Sequence, residues 1–111
     1  MTFRFIDTHC HFDFPPFTGD EAASIARAAQ AGVEKIVVPS TEAAWLERVT
    51  APAENYDALY AALGLHPIVI EQHTDASLEQ LERCLASRPK KLVAIGEIGL
   101  DLYRDDPQFE R

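Results

Sequence analysis

Short apolar runs alternate with amphipathic stretches along this chain, which is the pattern of strands separated by helices. Apolar and β-forming residues cluster in four runs, at 3–6, 33–38, 59–63 and 92–95. The run at 59–63 suits a helix as well as a strand, and its place in the alternation decides for a strand. The order therefore predicts an α/β protein with parallel strands joined by helical crossovers.

Three segments between these runs carry apolar residues at helical spacing. The first is opened by Asp20 as a capping residue and is stopped at Gly32. The second is capped by Ser40 or Thr41 and is limited or kinked by Pro52. The third opens with a capping-box pattern and presents an apolar stripe. The box covers Ser77 to Gln80, and the stripe comprises Leu78, Leu81, Cys84 and Leu85.

A further helix start near the last residues bears on the domain organisation. Asp106 before Pro107 is a typical start of a helix, and the sequence stops at Arg111. A fourth strand at the edge of an open sheet would also expose apolar side chains. We therefore expect residues 1–111 to be the N-terminal portion of a single, truncated domain, about four βα units that form the first half of a barrel. The alternative is a small complete open sheet of four strands with a short tail.

The composition narrows the class of protein. Of the 111 residues, 47% are hydrophobic and 25% are charged, as in a soluble globular domain. The net charge of -8 excludes binding of nucleic acid by a broad basic patch, whereas bound cations could still hold a phosphate. No apolar run approaches the ~20 residues of a membrane span, and no signal peptide precedes the first strand. We expect a cytoplasmic protein with reduced cysteines, no membrane contact and no stable protein partner.

Asp7, His9 and His11 follow the first strand at alternate positions. Because side chains alternate between the faces of a strand, these three point one way, and Thr8 and Cys10 point the other way. Two imidazoles side by side can share one ion of Zn, Mn, Fe or Co. A lone His-x-His is a weak signal, and a surface or core pair is the alternative. Cys10 has no base on its face, so it is predicted to be a small apolar filler rather than a nucleophile.

Two chemically active residues follow later strands. His66 comes after the third strand, and Glu97 comes after the fourth, between Gly96 and Gly99. The C-terminal ends of parallel strands meet at one edge, where ligands bind, so both residues should converge on the histidine pair. Glu97 is then a metal ligand able to bridge two ions, or a carboxylate satisfied by an arginine or backbone N–H groups. His66 is a donor to an oxyanion, a metal ligand or a satisfied turn histidine.

Other residues near these positions have open roles. Asp101 lies on the rim as a carboxylate behind the ligands or as a loop cap, and Tyr103 is a substrate contact or a packing residue. His73 lies in a polar loop and is predicted to be solvent-exposed. The aromatic loop 12–19 either covers the mouth of a site or packs against the body of the protein.

Three stretches in combination resemble the N-terminal motifs of the TatD family. They are 5–13, 64–67 and 96–101, and residues 105–111 resemble the YjjV-like subgroup. This family consists of metal-dependent hydrolases and deoxyribonucleases with TIM barrels related to the amidohydrolase superfamily. The resemblance covers the whole chain and roughly the first 40 per cent of a typical ~250-residue barrel.

The resemblance implies a site and an activity. His9, His11 and Glu97 would be metal ligands, with Glu97 as the catalytic bridge, and His66 would sit near the substrate phosphate. A complete site would hold two divalent ions (Mg, Mn or Zn) and hydrolyse DNA as a TatD-type deoxyribonuclease. A metal-dependent esterase or deacylase, for example on aminoacyl-tRNA, and an inactive fragment are the alternatives. The family's two later histidines and later aspartate have no counterpart here.

Overall fold

The computed structural model describes residues 3–100. Its centre is a sheet of four parallel strands, which lie side by side in the order of the sequence. The strands are β1 (Phe5–Asp7), β2 (Val33–Pro39), β3 (Leu59–Leu63) and β4 (Leu92–Ile95). The predicted parallel α/β arrangement is confirmed. The start of one strand differs from its prediction: β1 begins at Phe5 instead of Phe3.

Three α-helices connect the strands and position the loops between them. They are α1 (Glu21–Gln30), α2 (Glu47–Asn55) and α3 (Asp75–Ala86). A 3₁₀ turn at Ala43–Trp45 precedes α2, and a 3₁₀ segment at Pro67–Gln72 follows β3. Within residues 3–100, no helix is long and apolar enough to cross a membrane.

The starts of α1 and α3 differ from their predictions. Asp20 precedes α1, but its carboxylate bonds the side chains of Ser24 and Arg27 instead of a backbone N–H. Thr74 caps α3, because its Oγ1 accepts the N–H of Ser77 while the Oγ of Ser77 accepts the N–H of Thr74. The capping box that we predicted from Ser77 onward therefore lies one turn earlier, where Ser77 is its second member.

The start and length of α2 also differ from the prediction. Neither Ser40 nor Thr41 caps this helix. The hydroxyl of Ser40 bonds Gly64, and Thr41 accepts the N–H of His66 through its backbone carbonyl. Pro52 lies inside α2 and does not end it. The carbonyl of Pro52 accepts the N–H of Tyr56 at 3.0 Å, so helical bonding continues past the proline.

The hydrophobic core lies between the sheet and the helices. Its buried side chains are Phe12, Ile36, Val38, Leu46, Val49, Ala53, Leu59, Ala61, Leu63 and Leu81. Cys84 and Leu85 pack against this core beside Leu81, as the predicted stripe of α3 requires. Leu78 is 59% exposed, so its assignment to the stripe was wrong.

The edge strand β4 keeps apolar side chains in solvent. Val93 is 54% exposed and Ile95 is 60% exposed. The expectation that the fourth strand forms an apolar edge is therefore confirmed within the described residues. The predicted helix start at Asp106 and Pro107 lies outside them.

A buried serine joins the C-terminal ends of the inner strands. The Oγ of Ser40 donates to the carbonyl of Gly64 and accepts the N–H of the same residue, both at 2.8 Å. Ser40 has no exposed surface, and its carbonyl accepts the N–H of Glu97 at 3.0 Å. One residue thus ties together the segments after β2, β3 and β4, at the edge where the predicted site residues lie.

The Ser40→Ala variant should lose about 1–3 kcal/mol of unfolding free energy, because the buried N–H and carbonyl of Gly64 lose their partner. Urea denaturation followed by circular dichroism measures this loss. Ser87→Ala is the matched control, since it removes an exposed hydroxyl that bonds the carbonyl of Cys84. We expect the control to lose less than about 0.5 kcal/mol. Equal losses in the two variants would contradict the role of Ser40.

Candidate metal centre

Two histidines and one glutamate meet at the C-terminal edge of the sheet. His9 and His11 follow β1, and Glu97 follows β4. The Nε2 atoms of His9 and His11 lie 3.3 and 3.0 Å from Oε2 of Glu97. One potential ligand atom from each residue lies within 4.8 Å of the others. Residues that are far apart in the chain therefore present three donor atoms to one point.

The oxygen at the centre of this cluster shows whether a cation fits. Oε2 of Glu97 is buried and has no hydrogen-bond partner among residues 3–100. The two imidazole nitrogens lie close to this oxygen without forming a hydrogen bond to it, and a cation held by all three groups would offset the cost of burying the carboxylate. Two imidazole nitrogens and a carboxylate oxygen form a donor set that suits Zn, Mn or Fe. His9, His11 and Glu97 could therefore hold a divalent ion.

Asp7 supports the cluster from behind. Its Oδ1 accepts the N–H of His9 at 3.1 Å. The rings of His9 and His11 meet edge to face, with centroids 5.1 Å apart and planes at 88°. Asp7 therefore holds the chain turn that carries the imidazoles.

His66 approaches Glu97 from the end of β3. Its Nδ1 accepts the N–H of Ile68 at 3.0 Å, and its Nε2 lies 2.9 Å from Oε1 of Glu97. Because Nδ1 is an acceptor, the hydrogen of the neutral ring is assigned to Nε2, which donates to Glu97. This geometry favours a hydrogen-bond donor over a metal ligand among the roles left open for His66. It also directs Oε2 of Glu97 toward His9 and His11.

His73 is half-buried, so the prediction that it is solvent-exposed was wrong. Its Nε2 lies 2.7 Å from the carbonyl of His66 and must donate, since a carbonyl only accepts. The 3₁₀ segment Pro67–Gln72 turns the chain back and brings His73 to this carbonyl. The polar residues around His73 could not predict this hydrogen bond, because the bond depends on the path of the backbone between His66 and His73.

Gly64, which lies in one of the three motif stretches, has no room for a side chain. A Cβ built on Gly64 would lie 2.3 Å from the carbonyl oxygen of Glu97 and 2.7 Å from the carbonyl carbon of Gly96. These are backbone atoms, which cannot rotate away as a flexible side chain would. The absence of a side chain at Gly64 therefore sets where the backbone of Glu97 can lie.

The aromatic loop 12–19 packs against the body of the protein with two of its rings and borders the candidate site with a third. Phe12 is 4% exposed and stacks on Phe17, with ring centroids 4.9 Å apart, so these two rings pack against the body. Phe14 instead meets the ring of His11 edge-on at 5.9 Å and the ring of Trp45 at 5.3 Å. Phe14 is thus the loop aromatic that borders the cluster.

Cys10 and Asp13 lie on the core side of this loop. Cys10 packs against the core, as a small apolar filler does, and burial raises the pKa of its thiol, with the Asp7 and Asp13 carboxylates adding to the effect. Asp13 is 4% exposed, and neither of its carboxylate oxygens has a hydrogen-bond partner in the part of the chain that the structure describes. Burial raises the pKa of Asp13, and the nearby backbone N–H of Asp13 itself, Arg48 and His11 act in the opposite direction.

Asp101, predicted on the rim of the site, and Tyr103, predicted as a substrate contact or a packing residue, lie outside the described residues. Their roles stay predictions.

Comparison with known proteins identifies the family. The TatD related DNase family matches residues 6–111. This chain belongs to that family. The predicted resemblance to TatD proteins is therefore confirmed.

Two relatives of this chain are named as a hydrolase and an exonuclease of the TatD type. The uncharacterized metal-dependent hydrolase YjjV of Escherichia coli K12 is 70% identical over all 111 residues, which correspond to 43% of that protein. The 3'-5' ssDNA/RNA exonuclease TatD of Cronobacter turicensis is 38% identical over 89 residues, 80% of this chain and 33% of that protein. The chain thus spans well under half the length of these TatD relatives.

Solved structures confirm the fold. The crystal structure of the YjjV TatD homologue from Escherichia coli matches 99% of this chain and 42% of that one, with a TM-score of 0.94 and 70% identity. A TatD family hydrolase from Entamoeba histolytica matches with a TM-score of 0.80 at 24% identity and supports the fold alone. The four strands and three α-helices of residues 3–100 therefore form part of a TatD TIM barrel, as predicted.

Proposed function

We propose that this chain supplies part of a divalent-metal site that hydrolyses phosphodiester bonds in nucleic acid, DNA in particular. The observation that carries the proposal is the convergence of His9, His11 and the unpartnered Oε2 of Glu97. The name of the Cronobacter relative, an ssDNA/RNA exonuclease, supports the choice of substrate. We therefore propose hydrolysis of the phosphodiester bonds of DNA as the reaction of the complete protein.

The charge of the protein agrees with this substrate only if cations take part. A net charge of -8 repels a polyanion, so a phosphate needs a local positive centre to bind. A divalent ion held by His9, His11 and Glu97 would supply Lewis-acid chemistry, lowering the pKa of water and offsetting phosphate charge. A Mg, Mn or Zn ion would suit the role, and the complete site would hold a second ion to which Glu97 would also contribute.

The side chains around the ion have separate tasks in the proposed reaction. Glu97 is the catalytic carboxylate, and the Nε2–H of His66 holds its Oε1 so that Oε2 faces the two imidazoles. We also propose the Nε2–H of His66 as a contact to an oxygen of the substrate phosphate, because the ring borders the cavity beside the centre. The imidazole ring of His66 is held in place because its Nδ1 accepts a hydrogen bond from the backbone N–H of Ile68. The Nε2–H therefore keeps its direction.

Hydrolysis of labelled single-stranded DNA and of aminoacyl-tRNA by the natural polypeptide that contains residues 1–111 tests the function. We expect cleavage of DNA that is lost with EDTA, because the chelator removes the charge that holds the phosphate. Added Mn²⁺ should restore the rate. Metal-dependent deacylation without cleavage of DNA would overturn the nuclease proposal. A rate of DNA cleavage that EDTA leaves unchanged would overturn the metal centre.

A further inference from the structure

An open cavity of about 280 Å³ adjoins the candidate metal centre. It is lined by His11, Phe14, Thr41, His66 and Ile68. His11 and His66 belong to the centre already described, Ile68 bonds the ring of His66 through its N–H, and the side chains of Phe14 and Thr41 have no task in the proposed reaction. An engineered cavity of about 150 Å³ holds benzene, so a planar ring of similar size fits here.

Phe14 is a fixed aromatic wall of this cavity. Its ring lies between His11 and Trp45, at centroid distances of 5.9 and 5.3 Å. The guanidinium carbon of Arg48 lies 4.4 Å from the ring centroid of Trp45 and 5.3 Å from that of Phe14. These contacts restrain the ring before any ligand binds, which lowers the entropy that stacking would cost. Proteins that bind single strands use such aromatic side chains to stack bases of any sequence.

Thr41 adds a polar group to the same cavity. Its Oγ1 is buried and has no hydrogen-bond partner within residues 3–100. A hydroxyl both donates and accepts, so it can bond the polar edge of a nucleobase. An aliphatic acyl group offers neither a face for Phe14 nor a partner for Thr41. The lining therefore suits a base better than an apolar chain.

We propose that this cavity is a subsite for the nucleobase next to the scissile phosphate of a single strand, with Phe14 stacking on the base and Thr41 bonding its edge. The proposal rests on the proposed function, because the base is placed by the phosphate at the metal centre. Phe14 and Thr41 then determine how strongly a base near the cut bond contributes to binding.

Rates on two DNA single strands test the subsite in the natural polypeptide. The strands differ only at the nucleotide beside the cut bond, which either carries its base or is abasic. We expect wild type to prefer the base-bearing strand by about 5- to 150-fold in kcat/KM, the range that stacking of one base on an aromatic side chain supplies. In Phe14→Ala this ratio should fall toward 1. In Thr41→Val the ratio should fall less, and the ranking of the four bases should change.

Phe3→Ala is the matched control. It removes the same ring at a 63% exposed position before β1, at the opposite end of that strand from the centre. The control should keep the wild-type ratio. Phe14→Leu serves where Phe14→Ala fails to fold, since leucine retains an apolar contact with Trp45 but has no aromatic face. If every Phe14 variant that folds keeps the wild-type ratio of kcat/KM between the two strands, the subsite is overturned.

A binding measurement separates the subsite from the reaction. Trp45 is the only tryptophan of the chain, so deoxyadenosine monophosphate in the cavity should change its fluorescence without turnover. We expect a saturable change in wild type and one weakened at least 5-fold in Phe14→Leu. Cleavage of neither strand by wild type would overturn the proposed function. Equal cleavage of both strands with no fluorescence change would overturn the subsite alone.

Discussion

The Glu97→Gln variant should bind Mn²⁺ at least about 100-fold more weakly than wild type. Loss of a group that only supports a metal ligand costs about 10- to 100-fold, and loss of a ligand itself costs at least as much. The amide has the shape of the carboxylate, so the hydrogen bond at Oε1 can persist while the charge that faces His9 and His11 is gone. The variant therefore tests the charge of the cluster and leaves its shape in place.

Isothermal titration of wild type and variant with Mn²⁺ measures this effect. Glu79→Gln is the matched control, since it makes the same change at an exposed position of α3. The control should bind Mn²⁺ as wild type does. Affinities for Mn²⁺ that agree within about 3-fold between Glu97→Gln and wild type would show that Glu97 is no ligand. DNA hydrolysis by the natural polypeptide should fall by at least the same factor as the affinity.

The Gly64→Ala variant should lose about 3 kcal/mol of unfolding free energy, the upper end of the cost of overpacking. Its Cβ would overlap the backbone of Gly96 and Glu97, with the nearest atom at 2.3 Å. The chain after β4 must then move away from β3, and Glu97 moves with it. We therefore expect a parallel loss of at least about 10-fold in Mn²⁺ affinity.

Urea denaturation and Mn²⁺ titration of the same preparation measure the two effects of Gly64→Ala. The control is Gly96→Ala, whose Cβ would meet only the Cβ of Ala62 at the ordinary contact distance of 3.8 Å. We expect the control to lose at most about 1 kcal/mol. A Gly64→Ala protein as stable as this control would refute the close backbone approach.

Three of the four strands could be predicted from the sequence because apolar and β-forming content along a strand is local information, whereas the strand at 59–63 was decided by its place in the alternation. The runs at 33–38, 59–63 and 92–95 became β2, β3 and β4 with their starts as predicted. The helix starts were less predictable, since a capping hydroxyl competes with other partners. Ser40 shows this, because its Oγ bonds Gly64 across two strands instead of capping α2.

The candidate centre was predictable to the extent that it depends on the ends of parallel strands. His9, His11, His66 and Glu97 each follow a strand, and the parallel order alone places them at one edge. Distances within the cluster were not predictable. They depend on the registers of all three strand pairs between β1 and β4, which the sequence pattern does not specify.

The sequence by itself therefore determined the alternation of strands and helices, the edge at which the site lies and the residue types that meet there. Only the tertiary structure decided that Oε2 of Glu97 has no hydrogen-bond partner among residues 3–100, that His73 bonds the carbonyl of His66 and that Phe14 borders a cavity. The physical reason is that apolar periodicity and capping are properties of neighbouring residues. Hydrogen bonds, orphaned oxygens and cavities arise between segments that are distant in the chain, and they exist only once the strands are paired.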